Sequence, residues 1–177
     1  MRLPEKYENE MKDLLQEEYE AYKESLGLPI QQGYRINTGK ISKEEWEKIA
    51  PFSAKEVPWI ENGYFLLDDF RASRHPYYFA GLYYLQEPSA MTPANRLNVE
   101  PGDFVLDLCA APGGKATELG SRLKGKGMLV ANDISNSRAK ALLKNLELAG
   151  IANLYVTSEE PAKLCQNFPE FFDKVLI

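Results

Sequence analysis

The chain has 177 residues, 44% of them hydrophobic and 27% charged, with two cysteines, one histidine and a formal net charge of −5. That length bounds it at one ordinary domain, or a small domain plus part of a larger one, and two cysteines exclude both a disulfide scaffold and a paired metal-ligand motif. No apolar run approaches the ~18 residues of a membrane span and MRLPEKYENE lacks a signal-peptide core, so composition predicts a soluble, cytoplasmic, globular protein with no membrane and no metal partner.

The first segment reads as a helix, with Tyr7, Met11, Leu14, Leu15, Tyr22 and Leu26 recurring at three- and four-residue steps. Gly27 and Pro29 end it. Residues 5–24 hold eight acidic and three basic side chains, so this segment carries the whole net charge and the remainder is neutral. A solvated outer face is the simplest reading of that run. Bulk charge therefore gives no support for nucleic-acid binding, though local patches can act where totals do not.

YRINTGKI (34–41) is a plausible strand closed by a glycine turn, and SKEEWEKI (42–49) is a helix whose Ser42 and Glu45 have capping-box spacing. The stretch from Trp59 to Leu67 is extended and broken at Asn62-Gly63. Together these predict a small α+β module over residues 1–70. A helical linker is expected over 71–100: HPYYFAGLYYL (75–85) reads as an aromatic helix and QEPSAMTPANRL (86–97) as helix and turn.

From Pro101 strands and helices alternate. PGDFVLDLC leads into a strand, KATELGSRL is a helix, and GMLVAND (127–133) is a second strand with an acidic end. Ser135 is placed to cap the helix NSRAKALLKNLELAG, which Gly150 terminates. NLYVT (153–157) is a third strand, Pro161 opens a short helix, and DKVLI (173–177) begins a fourth strand. The fold class is thus α/β, with a partial Rossmann-like parallel sheet over 101–177. Because that last apolar strand is unfinished at Ile177, the chain is expected to be a fragment of a longer protein.

The chemistry lies in DLCAAPGGK, after the first parallel strand and at the start of the first helix, where a doubly wound sheet places its ligand. Gly113 and Gly114 allow close backbone approach, the helix N-terminus suits a carboxylate or phosphate, and Lys115 adds a full positive charge. Asp133, ending the second strand, stands where a carboxylate accepts hydrogen bonds from ribose hydroxyls. The third glycine of a dinucleotide fingerprint and the Gly-Lys-Ser/Thr of a P-loop are both missing. S-adenosylmethionine fits this pattern better than a dinucleotide; a nicotinamide site and a purely structural glycine turn are the alternatives.

DLCAAPGGKATEL resembles the cofactor motif of the Sun-family (Nol/Nop/Sun) RNA cytosine-5 methyltransferases. The resemblance extends through RINT (35–38), HPYYFAGLYYLQEPSAM (75–91), NDISNSRAKALLKN and FFDKVLI, and RLPEKYENEMKDLL is similar to the start of the bacterial RsmF-like branch that acts on small-subunit ribosomal RNA. It implies an RNA-facing N-terminal module, and S-adenosyl-L-methionine bound by Cys109, Ala110, Ala111, Pro112, Gly113, Gly114, Lys115 and Asp133. A third acidic position after the third strand aligns best with Glu160, with Glu159 one step off. The implied substrate is RNA, ribosomal in preference to transfer RNA, with no obligate protein partner. The implied chemistry is thiolate attack on carbon 6 of a flipped cytosine, which makes carbon 5 nucleophilic toward the methyl group. The resemblance puts the Asp-Ala-Pro-Cys and Thr-Cys motifs of that reaction beyond Ile177, so no catalytic residue is expected in this chain and it is expected to be inactive alone. Cys109 sits in the cofactor loop and Cys165 on a helix as a small apolar filler. A non-catalytic RNA-binding module is the competing reading.

Arg71, Arg74, His75, Tyr77 and Tyr78 form a basic-aromatic cluster that could grip RNA, although tyrosines packed in a core and solvated arginines explain it more simply. His75 is read as a helix-opening residue before Pro76. Gln86, Glu87 and Ser89 are placed by the resemblance at the border of the cofactor pocket.

Overall fold

The computed structural model describes residues 3–67 and 71–177. The chain divides into two compact units, residues 1–30 and residues 31–177.

In the first unit the expected single helix is two: α1 (Glu5–Leu15) and α2 (Tyr19–Ser25), separated by a 3-10 turn at Gln16–Glu18. Gln16 adopts φ 46°, a left-handed conformation that stops α1. The break lets the helices fold back on each other. The Tyr19 hydroxyl donates to Glu8 Oε1 at 2.9 Å and Lys23 Nζ reaches the same oxygen at 3.0 Å, while the hydroxyls of Tyr7 and Tyr22 meet. Of the expected stripe Met11, Leu15, Tyr22 and Leu26 are half-buried, Tyr7 and Leu14 are exposed, and the buried Tyr19 was not in it; nor does a stripe say where the chain turns.

The second unit holds two four-stranded sheets. The first is antiparallel, in the order β2-β3-β1-β4, from β1 (Gly33–Ile36), β2 (Ala54–Glu56), β3 (Gly63–Leu66) and β4 (Tyr83–Leu85). Tyr34 of β1 lies opposite Tyr64 on one side and Leu85 on the other. Helix α3 (Lys43–Ile49) opens with the expected capping box: Glu45 N–H donates to Ser42 Oγ and Ser42 N–H to Glu45 Oε2. It brings Trp46 onto the sheet, where the indole N–H donates to the Tyr34 hydroxyl at 3.1 Å and the ring packs among Phe52, Tyr77 and Tyr83.

The aromatic helix expected over 75–85 is one helical turn, α4 (Pro76–Phe79), followed by β4. Gly81 at φ 68° ends the turn, and Tyr83 and Leu85 then continue the sheet. A run of tyrosines fits a strand at least as well as a helix, and an open edge on β1 decides between them. This fourth strand comes from the stretch read as helical linker.

The parallel sheet is the expected one, in the order β7-β6-β5-β8, from β5 (Phe104–Asp107), β6 (Met128–Asn132), β7 (Leu154–Thr157) and β8 (Lys174–Leu176). Successive side chains of a strand point to opposite faces. Val105 and Leu129 accordingly pack under α6 (Gly114–Arg122) and α7 (Asn136–Ala149), against Leu119, Leu142 and Leu146. Leu106 and Val130 face the other way, onto Leu164 of α8 (Pro161–Asn167) and Phe168 and Phe172. Gly150 closes α7 at φ 73°, as expected. Ser135 occupies the N-cap position of α7 but its side chain makes no cap bond; its hydroxyl meets that of Ser137 instead. Helix α5 (Pro88–Arg96) lies against α6, with Met91 and Ala94 buried. No helix among the described residues is long and apolar enough to cross a membrane.

Candidate functional site

The carboxyl ends of β5, β6 and β7 form one edge, and a single side chain ties them together. Asn132, buried at the end of β6, donates from Nδ2 to the carbonyls of Leu108 (3.1 Å) and Glu159 (3.0 Å). Its Oδ1 accepts from Thr157 Oγ1 (2.8 Å) and from Glu159 N–H (3.0 Å). Every hydrogen-bonding site of the amide is used, so three loops are held in register.

The loop from Leu108 turns at Gly113, whose φ of 116° is costly for any residue with a Cβ, and enters α6 at Gly114. A Cβ on Gly114 would lie 3.0 Å from Gln86 Nε2 and 3.3 Å from Tyr84 Cε1, so a side chain there would press on Gln86 and the Tyr84 ring. Between these walls is a cavity of about 330 Å³, with Tyr84, Leu85, Gln86, Ala90 and Pro93 facing Ala110, Ala111, Pro112, Gly114 and Lys115. Of the three residues placed at its border, Gln86 is there; Glu87 instead caps α5 by accepting from Ala90 N–H, and Ser89 bonds to Glu87.

Asp133 is buried where β6 ends. Its Oδ1 accepts from Ser135 N–H at 3.0 Å and its Oδ2 pairs with Arg138 at 3.1 Å. Arg138 also donates to the Ala111 carbonyl at 3.0 Å, which links the acidic strand end to the glycine loop. The structure therefore brings the stretch Cys109–Lys115 and Asp133 together. Glu160 stands exposed at the N-cap of α8 with no side-chain cap bond, whereas Glu159 pairs with Lys163 at 2.7 Å.

Asp107, the last residue of β5, is the one sequence reasoning missed. It is fully buried and neither carboxylate oxygen has a hydrogen-bond partner. Burial pushes its pKa up to about 6; the Lys115 charge, and less so a Cys109 N–H that approaches without forming a hydrogen bond, pull the other way. An orphaned buried carboxylate is costly unless something compensates it, and such groups concentrate at ligand sites. Its signal was present in the acidic residue ending an apolar strand directly before a glycine loop.

Elsewhere the candidates resolve plainly. His75 Nδ1 accepts from Tyr77 N–H at 3.2 Å and so opens α4. Tyr77 packs on Trp46 and Tyr78 on Tyr83, while Arg71 and Arg74 are exposed. Both cysteines are free and exposed. No cluster of three or more metal-ligating side chains exists among the described residues.

Residues 3–88 match the family model for the N-terminal domain of 16S rRNA methyltransferase RsmF, and residues 94–177 match that for 16S rRNA methyltransferase RsmB/F. The chain is 32% identical to the ribosomal RNA small subunit methyltransferase F of Pectobacterium atrosepticum, an alignment covering 99% of this chain and 38% of that relative. A methyltransferase homologue from Pyrococcus horikoshii superposes with a TM-score of 0.79 at 32% identity, over 87% of this chain and 52% of the other. The NSun6 structure from the same organism, solved with the S-adenosylmethionine analogue SFG, superposes at 0.80 over 98% of this chain and 70% of the other. At 19% identity that last likeness bears on the fold alone.

Proposed function

Because the chain belongs to the RsmB/F family of 16S rRNA methyltransferases, we propose that it is the cofactor-binding part of an S-adenosylmethionine-dependent enzyme that methylates carbon 5 of a cytosine in small-subunit ribosomal RNA, in the cytoplasm. The chain spans 38% of the length of the curated relative it matches, so activity and substrate are proposed for the whole protein.

The observation that carries the reading is Asp107. A buried carboxylate with two unpartnered oxygens beside a glycine cradle fits a ligand that brings its own cation and anion. The amino-acid end of S-adenosylmethionine is such a ligand. Asp107 would accept hydrogen bonds from its ammonium. The N–H groups at the start of α6 and the Lys115 ammonium would hold its carboxylate. Asp133 keeps a further lone pair on each oxygen, enough to accept from the ribose hydroxyls, and exposed Arg138 can swing aside. Glu160 would reach the adenosine from the end of β7. Cys109, Ala110, Ala111 and Pro112 supply loop backbone and walls. The bound cofactor supplies an electrophilic methyl group on its sulfonium; these residues orient it and exclude water from one side.

Neither cysteine is proposed as nucleophile. Cys109 belongs to the cofactor loop and Cys165 to α8, so the 177-residue chain alone transfers no methyl group. The test is calorimetric titration of the chain with S-adenosylhomocysteine, with NAD⁺ as the competing ligand. The expected result is saturable binding of the first, weakened more than about tenfold, or ~1.4 kcal/mol, by Asp133→Ala. Binding of NAD⁺ in its place would overturn the reading.

A further inference from the structure

A buried arginine outside the cofactor edge touches the first turn of α6. Arg35 lies on β1, the third residue of a strand whose four residues are all buried, and is 1% exposed. Its Nη2 donates to the Gly114 carbonyl at 2.9 Å and to Thr117 Oγ1 at 2.8 Å. Its Nη1 pairs with Glu118, and its Nε points at Gln86 Oε1 at 3.5 Å.

These contacts divide into two groups. Glu118 is anchored without Arg35, because Arg122 Nε reaches its Oε1 at 2.7 Å and Asn62 Nδ2 donates at 3.0 Å to Oε2, the oxygen Arg35 pairs with. Gly114 is different. It follows a residue at φ 116° in the first turn of α6, where the leading N–H groups have no intrahelical partner, and its carbonyl also accepts from Thr117 Oγ1 at 3.2 Å. Arg35 grips the carbonyl there and approaches Gln86, so one planar fork touches both walls of the cavity beside Lys115. Only a guanidinium offers donors in that fixed spread; an ammonium is a point charge that cannot serve all of them.

We propose that Arg35 is a positioning residue for the cofactor: by holding the Gly114 carbonyl it sets the N-terminal turn of α6 in its ligand-ready orientation. This rests on the reading of the glycine loop as an S-adenosylmethionine site. Arg35 touches no ligand itself and acts through the backbone of Gly114.

The test compares two variants of the full chain by thermal melting and by titration with S-adenosylhomocysteine. Arg35→Lys keeps a positive charge for Glu118 and loses the fork; it is expected to bind about tenfold more weakly with a modest drop in Tm. Glu118→Gln removes the ion pair and leaves the grip on Gly114; it is expected to lose more Tm while binding within about threefold of the unaltered chain. Affinity and stability then rank the two variants in opposite orders, which a merely structural role does not produce. Arg35→Met in the Glu118→Gln background, which removes the guanidinium without leaving a buried charge unpaired, provides the answer if Arg35→Lys does not fold: binding weaker than that of Glu118→Gln alone supports the proposal. Unaltered binding by Arg35→Lys, or binding by the double variant equal to that of Glu118→Gln where it stands in, overturns it, as do affinity losses that track Tm across the set. If the unaltered chain does not bind the probe, the cofactor reading fails and this inference fails with it.

Discussion

Asp107, at the end of β5, and Glu118, on α6, are both buried carboxylates, and they are treated in opposite ways. Glu118 receives Arg35, Arg122 and Asn62, and these partners hold its pKa below the ordinary value although burial, the largest single influence, pushes it up. Asp107 receives no hydrogen bond, and burial pushes its pKa to about 6. A saturated carboxylate has finished its work when the chain folds. An unsaturated one holds hydrogen-bonding capacity for something that arrives later. On the proposed reading Glu118 belongs to the scaffold and Asp107 to the site.

The sharpest way to break the contrast is to remove one partner from each side. Glu118→Ala leaves Arg35 buried without a counter-charge and is expected to destabilise the chain by about 3–5 kcal/mol, measured by urea unfolding. A loss below about 1 kcal/mol would show that the network is solvated and not structural.

Asp107→Asn should act in the other direction. The folded-state pKa of about 6 exceeds the ordinary 3.8, so the folded form holds its proton while the unfolded form releases it. Through this group stability falls as pH rises from about 4 to 6, by roughly 3 kcal/mol in all, and stays low above that window. Asparagine removes the penalty, so the variant is expected to be more stable than the parent at pH 7.5 by up to about that amount, with a flatter profile between pH 4 and 6. The same variant should bind S-adenosylhomocysteine at least about tenfold more weakly. Binding by the unaltered chain should weaken below pH 6, where Asp107 takes up a proton. Gain of stability with unchanged binding would make Asp107 a structural oddity.

Two smaller effects refine the picture. Gly113→Ala forces a side chain into φ 116° with Leu142 Cδ1 at 3.3 Å, and is expected to cost about 1–2 kcal/mol and to weaken binding. Ser42→Ala removes one half of the α3 capping box, far along the chain from the glycine loop; about 1 kcal/mol of stability should go, with ligand affinity unmoved.

The parallel sheet was legible because its signals are local. An apolar run such as FVLD, a glycine turn and an acidic strand end each declare themselves within a few residues, and the backbone path between β5 and α6 follows from them. The capping box at Ser42 and the stop at Gly150 were legible for the same reason. The aromatic stretch 75–85 was not, since tyrosine-rich segments satisfy helix and strand alike until a neighbouring edge selects one. The first helix was misread as continuous because an apolar stripe carries no information about a left-handed residue such as Gln16.

By itself the sequence determined the α/β class and the position of the glycine loop, with its lysine and the strand-end carboxylate, on which the proposed ligand site rests. Those depend on residue types and on spacings shorter than one element. Only the tertiary structure decided the burial of polar groups. KATELGSR shows charges and hydroxyls that suit a solvated helix face, yet Thr117, Glu118 and Ser121 are all buried. Arg35, on a strand some eighty residues earlier, bonds Thr117 and Glu118 there, and the Ser121 hydroxyl turns back to the Glu118 carbonyl. The same holds for Asp107, whose missing partners are a property of the space around it. Whether a carboxylate is a brace or a binding group depends on what surrounds it in three dimensions; the local pattern before the glycine loop marks where Asp107 sits but not whether it is partnered.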